Sequence, residues 1–169
     1  FFGIVLSVRE YEEHERFLME MQPDDVFAAH DLWRTPFLGL HRYTLPETVT
    51  ERLGDPVELA RRLKTGPREL TVVTTDIGLS PSSAESDDPF ERDFSSREEE
   101  PETFVAALFA SAAISTFVLP LRIGESVYAD GGWVRNFPLA YAYREPAVQQ
   151  IVGCRYRASA SGFAGRGLH

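Results

Sequence analysis

Apolar residues in this chain come in short runs set between clusters of proline, glycine and charge, and each run predicts an element. Phe1 to Val8 (FFGIVLSV) reads as a buried strand or as the end of a buried helix, two states that periodicity does not separate at this length. Arg9 to Met21 has helical spacing, with Tyr11, Phe17, Leu18 and Met21 on one side and acids opposite, and Pro23 stops it. Val26 to Tyr43 is rich in aromatics (Phe27, Trp33, Phe37, Tyr43), but Pro36 and Gly39 break it, and it predicts an irregular segment. Thr44-Leu45-Pro46-Glu47 and Asp55-Pro56-Val57-Glu58 each open a short helix with a capping side chain and an acid three residues later that can reach back to the cap. Proline sits in the first turn of both, where its missing N–H costs nothing, and Gly54 and Gly66 are placed to end them.

Leu70 to Thr75 (LTVVTT) is the clearest strand: β-branched, short, and bounded by Pro67 and Gly78. Leu79 to Glu100 is rich in Ser, Asp and Glu and predicts a mobile acidic loop, too polar to bury a core of its own. Pro101 and Glu102 then open a helix whose body, Phe104 to Ile114, is apolar on nearly every side and is therefore a buried helix. Ser126 to Ala129 predicts a strand, Pro138 to Arg144 a helix, and Gln150 to Tyr156 a second buried strand. Alternating strands and helices predict an α/β fold, with a largely parallel sheet and helices on both faces. The expected organisation is one domain over residues 1–157, containing the acidic loop at about 79–100, followed by a flexible Gly/Ser/Ala-rich tail over 158–169.

The net charge of −9 is concentrated between Ser80 and Glu102, where nine acids face only Arg92 and Arg97. With no basic stripe, the chain is not expected to bind nucleic acid. Cys154 is the single cysteine, which rules out an intrachain disulfide and a cysteine metal cluster. His14, His30 and His41 lack metal-ligand spacing, and surface or packing roles are the default for them. No run approaches the ~18 apolar residues of a membrane span, and Phe1 to Val8 lacks the basic start of a signal peptide. A cytoplasmic or peripheral-membrane location follows as the expectation. The chain opens on Phe1, which suggests an internal piece of a longer product.

The chemistry concentrates in Tyr128-Ala129-Asp130-Gly131-Gly132-Trp133-Val134-Arg135-Asn136-Phe137-Pro138-Leu139. A short strand delivers one carboxylate into a turn made by two glycines, and the chain passes Asn136 and Pro138 into a new helix. Asp-Gly-Gly by itself is most often only a turn, because both residue types suit turn conformations. Its neighbours sharpen it. Ala110-Ser111-Ala112-Ala113-Ile114, then Phe117-Val118-Leu119-Pro120, then the Asp130 motif, with Leu70 to Gly78 (LTVVTTDIG) ahead of them, resemble in order and spacing the second half of a patatin-like phospholipase domain. The resemblance spans Leu70 to Tyr156.

What the resemblance implies is a patatin-like three-layer α/β fold and lipid acyl hydrolysis by a Ser–Asp dyad. In such a dyad a serine on a strained elbow attacks the ester, an aspartate takes its proton directly, and glycine-rich backbone N–H groups hold the oxyanion. Carried over to this chain, Asp130 is the base, Gly131 and Gly132 aim it, and Asn136 and Pro138 shape the same turn. The implied partner is a phospholipid or another acyl-ester lipid, met with or without peripheral membrane contact, and no metal or organic cofactor is implied. No G-x-S-x-G elbow occurs in the chain, and no glycine loop follows Gly3 to Ser7. Ser7 is flanked at two residues' distance by Val5 and Arg9, not by the small residues an elbow needs. Gly162 to Gly167 (GFAGRG) has the composition of an oxyanion loop but follows the motif and reads as tail. The domain is therefore expected to be incomplete, supplying the Asp half of the dyad, and to self-associate or to need a partner chain that completes the fold. The alternative is a non-catalytic patatin-like remnant acting as a lipid- or protein-binding module. Two smaller readings stay open: Asp76 as a structural carboxylate or as a second acid with Asp130, and Phe27, Trp33, Phe37 and Tyr43 as core or as walls of an acyl-chain pocket or a membrane-facing lip.

Overall fold

The β-branched run at Leu70 becomes the second strand of a four-stranded sheet, and both of its faces are covered. The computed structural model describes residues 11–29, 41–78, 88–115 and 117–153. In chain order these form α1 (Tyr11–Glu20), β1 (Phe27–Ala29), β2 (His41–Tyr43), α2 (Leu45–Leu53), α3 (Pro56–Thr65), β3 (Thr71–Asp76), β4 (Glu91–Ser95), α4 (Pro101–Ser111), β5 (Leu121–Ile123), β6 (Ser126–Asp130) and α5 (Leu139–Arg144). Short 3₁₀ turns occupy Pro23–Asp25 and Gly131–Trp133. The result is the mixed α/β fold the sequence predicts, with two sheets and five helices among the described residues. Residues 1–136 and 137–169 form two compact units.

In the first unit, the larger sheet runs β4-β3-β6-β5 and the smaller pairs β1 with β2. Every pairing among the described strands is antiparallel, which corrects the expectation of a largely parallel sheet. Connectivity gives the reason. β5 and β6 form a tight hairpin turned by Gly124 at φ 61, a left-handed conformation that suits glycine. Within the larger sheet, the β4-to-β5 connection carries the helix α4. Val72, Val73, Thr74, Thr75 and Asp76 are buried in succession, so β3 is covered on both faces although it lies in an antiparallel sheet.

The helix α4 is buried on nearly all sides, as its composition predicts, and ends at Ser111 with Ala112 as its cap. It packs against β3, β5 and β6, with α3 behind it. Phe104, Val49, Leu63 and Ala107 are among the deepest parts of this core, each at most 1% exposed. On α1, Phe17 is buried, and Leu18 and Met21 pack partly against the core; the side chains of Tyr11 and His14 lie outside the described residues. The helices α2 and α3 start and stop where predicted, but only Asp55 caps through its side chain, accepting from Val57 N–H at 2.9 Å. Thr44 instead turns its hydroxyl to Asp24 O (2.9 Å), and its N–H bonds Val26 O, so no capping box forms there. Glu58 bonds Arg61 and Arg62, not the Asp55 backbone.

Three other expectations are corrected. The segment 26–43 is not wholly irregular, because its two ends pair as β1 and β2. The acidic stretch contains β4, which charge conceals: Glu91 and Phe94 are buried, the second edge-on to Tyr128 with ring centroids 5.4 Å apart. In the second unit, Gln150 to Gly153 is not a strand, and Val152 is 77% exposed. The rest of that run, Cys154 to Tyr156, lies outside the described residues, as do Phe1 to Glu10 with Ser7, the aromatics Trp33 and Phe37, His30, and the tail.

The core predicts its own sensitivity. Phe104→Ala should lower unfolding free energy in urea by about 3–5 kcal/mol, whereas Met19→Ala, at a site 80% exposed, should change it by less than ~0.5 kcal/mol.

Candidate functional site

Asp130 is the last residue of β6 and caps the 3₁₀ turn that follows it. Tyr128 and Ala129 are buried and hold the strand in place, while Asp130 itself is half-buried. Its Oδ1 accepts a hydrogen bond from Gly132 N–H at 2.8 Å, a turn-capping geometry common for aspartate. Its backbone is held on two more sides: Asp130 N–H donates to Ala113 O at 3.1 Å, and Thr75 Oγ1 donates to Asp130 O at 2.7 Å. The motif around Ser111 and the Asp-Gly-Gly turn are thus joined directly.

Gly131 is required by close approach. A Cβ there would overlap the Val73 carbonyl oxygen and lie 2.6 Å from its carbon, so only glycine lets the turn settle against β3. The same carbonyl accepts the Ser111 hydroxyl at 2.7 Å. At Gly132 the crowding is milder: a Cβ there would lie 3.3 Å from its nearest neighbour, Asp130 Oδ1. Asn136 is exposed at the end of the first unit, and Pro138 directly precedes α5 in the second.

Two residues not assigned to the site from sequence come to this turn. Tyr43, from β2, donates its hydroxyl to Phe109 O at 3.0 Å. Burial, and secondarily the Asp130 carboxylate, push its phenol well above the ordinary tyrosine range, so it stays neutral beside that charge. Arg135 returns to Glu91 as a bidentate fork at 2.5 and 2.6 Å, with Glu91 only 1% exposed. Arg135 N–H also donates to Gly131 O at 2.8 Å, so the ion pair ties β4 to the turn. No spacing in the sequence signals either contact, since the partners are separated by long stretches of chain.

Asp76 has a structural environment. It is 2% exposed, Oδ1 accepts from Gly78 N–H at 2.9 Å, and Arg92 Nε stands 4.0 Å from Oδ2. It lies diagonally across from Asp130, whose partner on β3 is Thr74. Among the described residues no serine hydroxyl bonds the Asp130 carboxylate: Ser95 donates to Glu69, Ser96 accepts from Leu70 N–H, and Ser111 serves Val73. Ser7, Ser159, Ser161 and Gly162 to Gly167 lie outside the described residues. No three His, Cys, Asp or Glu side chains gather as a metal site among the described residues, and no helix there is long and apolar enough to cross a membrane.

The fold and the turn define an α/β domain that presents one aspartate from a glycine turn at a strand end. A family model for patatin-like phospholipases matches residues 11–143, and the chain belongs to that family. The match reaches further toward the N-terminus than the motifs between Leu70 and Tyr156 that carry the resemblance. At the family level the activity is lipid acyl hydrolysis, and the substrate class is lipid. No curated protein and no solved structure matches the chain.

Two outcomes test this geometry. Arg135→Met should cost about 3–5 kcal/mol in urea unfolding, because it removes the bidentate partner of a buried carboxylate, while Glu91→Leu with Arg135→Met should recover most of the loss. The raised Tyr43 pKa means the phenol favours folding fully below the unfolded value of 10.0, and this stability is lost as pH rises above that value. Thermal melts at increasing alkaline pH should therefore fall less steeply in Tyr43→Phe than in the parent.

Proposed function

We propose that the chain supplies the base half of a lipid acyl hydrolase, with Asp130 accepting the proton of a serine nucleophile during phospholipase A or lysophospholipase-type ester cleavage. The observation that carries this reading is the way the carboxylate is held. One oxygen, Oδ1, is fixed by Gly132 N–H, and the backbone is pinned by Ala113 and Thr75, while Oδ2 has no hydrogen-bond donor among the described residues. A general base needs that combination: fixed direction and an oxygen left to take a proton. Tyr43, kept neutral by burial, adds no second negative charge to the site. Gly131, Gly132, Asn136 and Pro138 support the turn in this reading, and no cofactor takes part.

The serine is supplied from outside this chain, by another segment of the same protein or by another chain, because no nucleophile elbow stands in the sequence. The domain is accordingly partial. The commitment of Ser95, Ser96 and Ser111 to other partners also favours a second reading, a non-catalytic module that binds lipid or a protein partner.

Fluorophosphonate labelling with peptide mapping, alongside hydrolysis of short-chain nitrophenyl esters, separates the two. For the chain alone the expected result is no labelled serine and negligible turnover. Supplied with an elbow-bearing partner segment, turnover should appear and should fall by at least ~10²-fold in Asp130→Asn. Labelling of a serine within the 169 residues, or turnover that Asp130→Asn leaves intact, would overturn the dyad assignment.

A further inference from the structure

The peptide that joins Gly131 to Gly132 is hydrogen-bonded at both ends. Its N–H, on Gly132, donates to Asp130 Oδ1 at 2.8 Å. Its carbonyl, on Gly131, accepts from Val134 N–H at 3.2 Å and from Arg135 N–H at 2.8 Å. A trans peptide is planar and points these two groups in opposite directions, so whatever holds the carbonyl also aims the N–H at the carboxylate. The flanking residues do not hold it themselves. Both are glycine, and between two residues without Cβ atoms a peptide rotates at little cost. Its orientation has to be fixed from beyond the two glycines.

Arg135 makes that connection. Its guanidinium forks onto both oxygens of Glu91, Nε to Oε1 at 2.5 Å and Nη2 to Oε2 at 2.6 Å, and this carboxylate is 1% exposed. Glu91 is the register partner of Thr75 in the β3–β4 ladder, and Thr75 Oγ1 donates to Asp130 O at 2.7 Å. The contacts close a ring. It leaves Asp130 at the carboxylate, passes the Gly131–Gly132 peptide, Arg135, Glu91 and Thr75, and returns to the Asp130 carbonyl. Stability alone gives no reason for a buried ion pair in that ring, since a well-packed apolar pair of similar size holds as well or better. A fork supplies what an apolar pair lacks, a fixed direction for the residue that carries it.

We propose that Arg135, anchored by Glu91, is a positioning residue for the Asp130 base: it locks the Gly131–Gly132 peptide in one orientation, so that Oδ1 stays bonded and Oδ2 is the oxygen left to accept a proton. The inference rests on the base reading of Asp130 and adds the group that aims it. Without the fork, the peptide rotates away for part of the time and Oδ1 loses its donor.

The test follows the Gly132 amide of the full chain in nitrogen–proton spectra as pH rises through the carboxylate range. In the parent this signal should move downfield as Asp130 ionises, and Asp130→Asn should abolish the movement. In Arg135→Lys, which keeps the charge and loses the fork, the movement should fall to about half or less, because two peptide orientations then average. Glu91→Leu with Arg135→Met should show the same loss although its stability is largely recovered, a result that a merely structural pair would not give. Val57 N–H, bonded to Asp55 with the same two-residue spacing on α3, is the reference in each spectrum and should keep its movement. Arg97→Met, which breaks an exposed pair with Glu69, should leave Gly132 parent-like. Melting curves establish which variants are folded, and one folded fork variant decides. The parent gives a check that needs no variant: Arg135 Nε–H should exchange with water more slowly than Arg62 Nε–H, whose pair with Glu58 is exposed.

Parent-like movement in a folded fork variant, a parent Gly132 signal indifferent to Asp130→Asn, or Arg135 Nε–H exchanging as fast as that of Arg62 would overturn the proposal. No turnover enters the measurement, so the two readings fail separately. Halved movement together with hydrolysis that survives Asp130→Asn retires the base and keeps the lock, whereas parent-like movement with Asp130-dependent hydrolysis retires the lock alone.

Discussion

The approach of the Asp-Gly-Gly turn to the backbone of β3 is the contact on which the site depends. Val73 offers its carbonyl to the Ser111 hydroxyl on one side and lies against Gly131 on another, and the next residue, Thr74, is the register partner of Asp130. The end of α4, the middle of β3 and the end of β6 therefore meet at one peptide group. A side chain at residue 131 would push β6 off that peptide and carry the aspartate with it. The glycine is set by contact, not by a left-handed φ, since the only positive-φ glycines among the described residues are Gly54 and Gly124.

Electrostatics reinforce the same place. The exposed pairs on α3, Glu58 with Arg61 and Arg62, add little to stability because water screens them. The Glu91–Arg135 pair differs: its carboxylate is 1% exposed and doubly bonded. Removing a charge from water is costly, and the pair persists because each donor finds an oxygen in good geometry. Its effect is geometric. It fastens the start of β4 to the residue whose N–H holds Gly131 O, so the turn is braced from the strand on the far side of β3. Tyr43 closes another side without bringing charge, since its hydroxyl donates to Phe109 O.

Local chemistry was legible wherever it was written in neighbouring residues. The β-branched run gave β3, the Pro-first helices gave α2 and α3, and the all-round apolar stretch gave α4. Asp130 and its glycines were found because motif order places them at a strand end. What stayed hidden was tertiary. A strand reading Glu-Arg-Asp-Phe-Ser looks like solvated loop until Arg135 neutralises Glu91 and Tyr128 covers Phe94, and neither partner lies nearby in sequence. Strand direction was hidden for a related reason: alternation of strands and helices signals crossovers, but the Gly124 hairpin and the long β3–β4 connection reverse the chain instead. Tyr43 was readable as an aromatic but not as a buried phenol bonded to Phe109 O, because that contact depends on β2 pairing with β1 and lying over the end of α4.

Folding and catalysis make different demands on the residues around Asp130. A dyad needs a serine hydroxyl within hydrogen-bond reach of a specific carboxylate oxygen, about 2.6–3.2 Å, and Ser95, Ser96 and Ser111 are committed to holding the fold. Ser111 is the clearest case: its hydroxyl secures Val73, the peptide that positions Gly131, so freeing it to serve as a nucleophile would loosen the turn that aims the base. The residue that secures the turn is thus unfit to act in it, and in the proposed dyad the nucleophile arrives from a segment that bears none of this structural load.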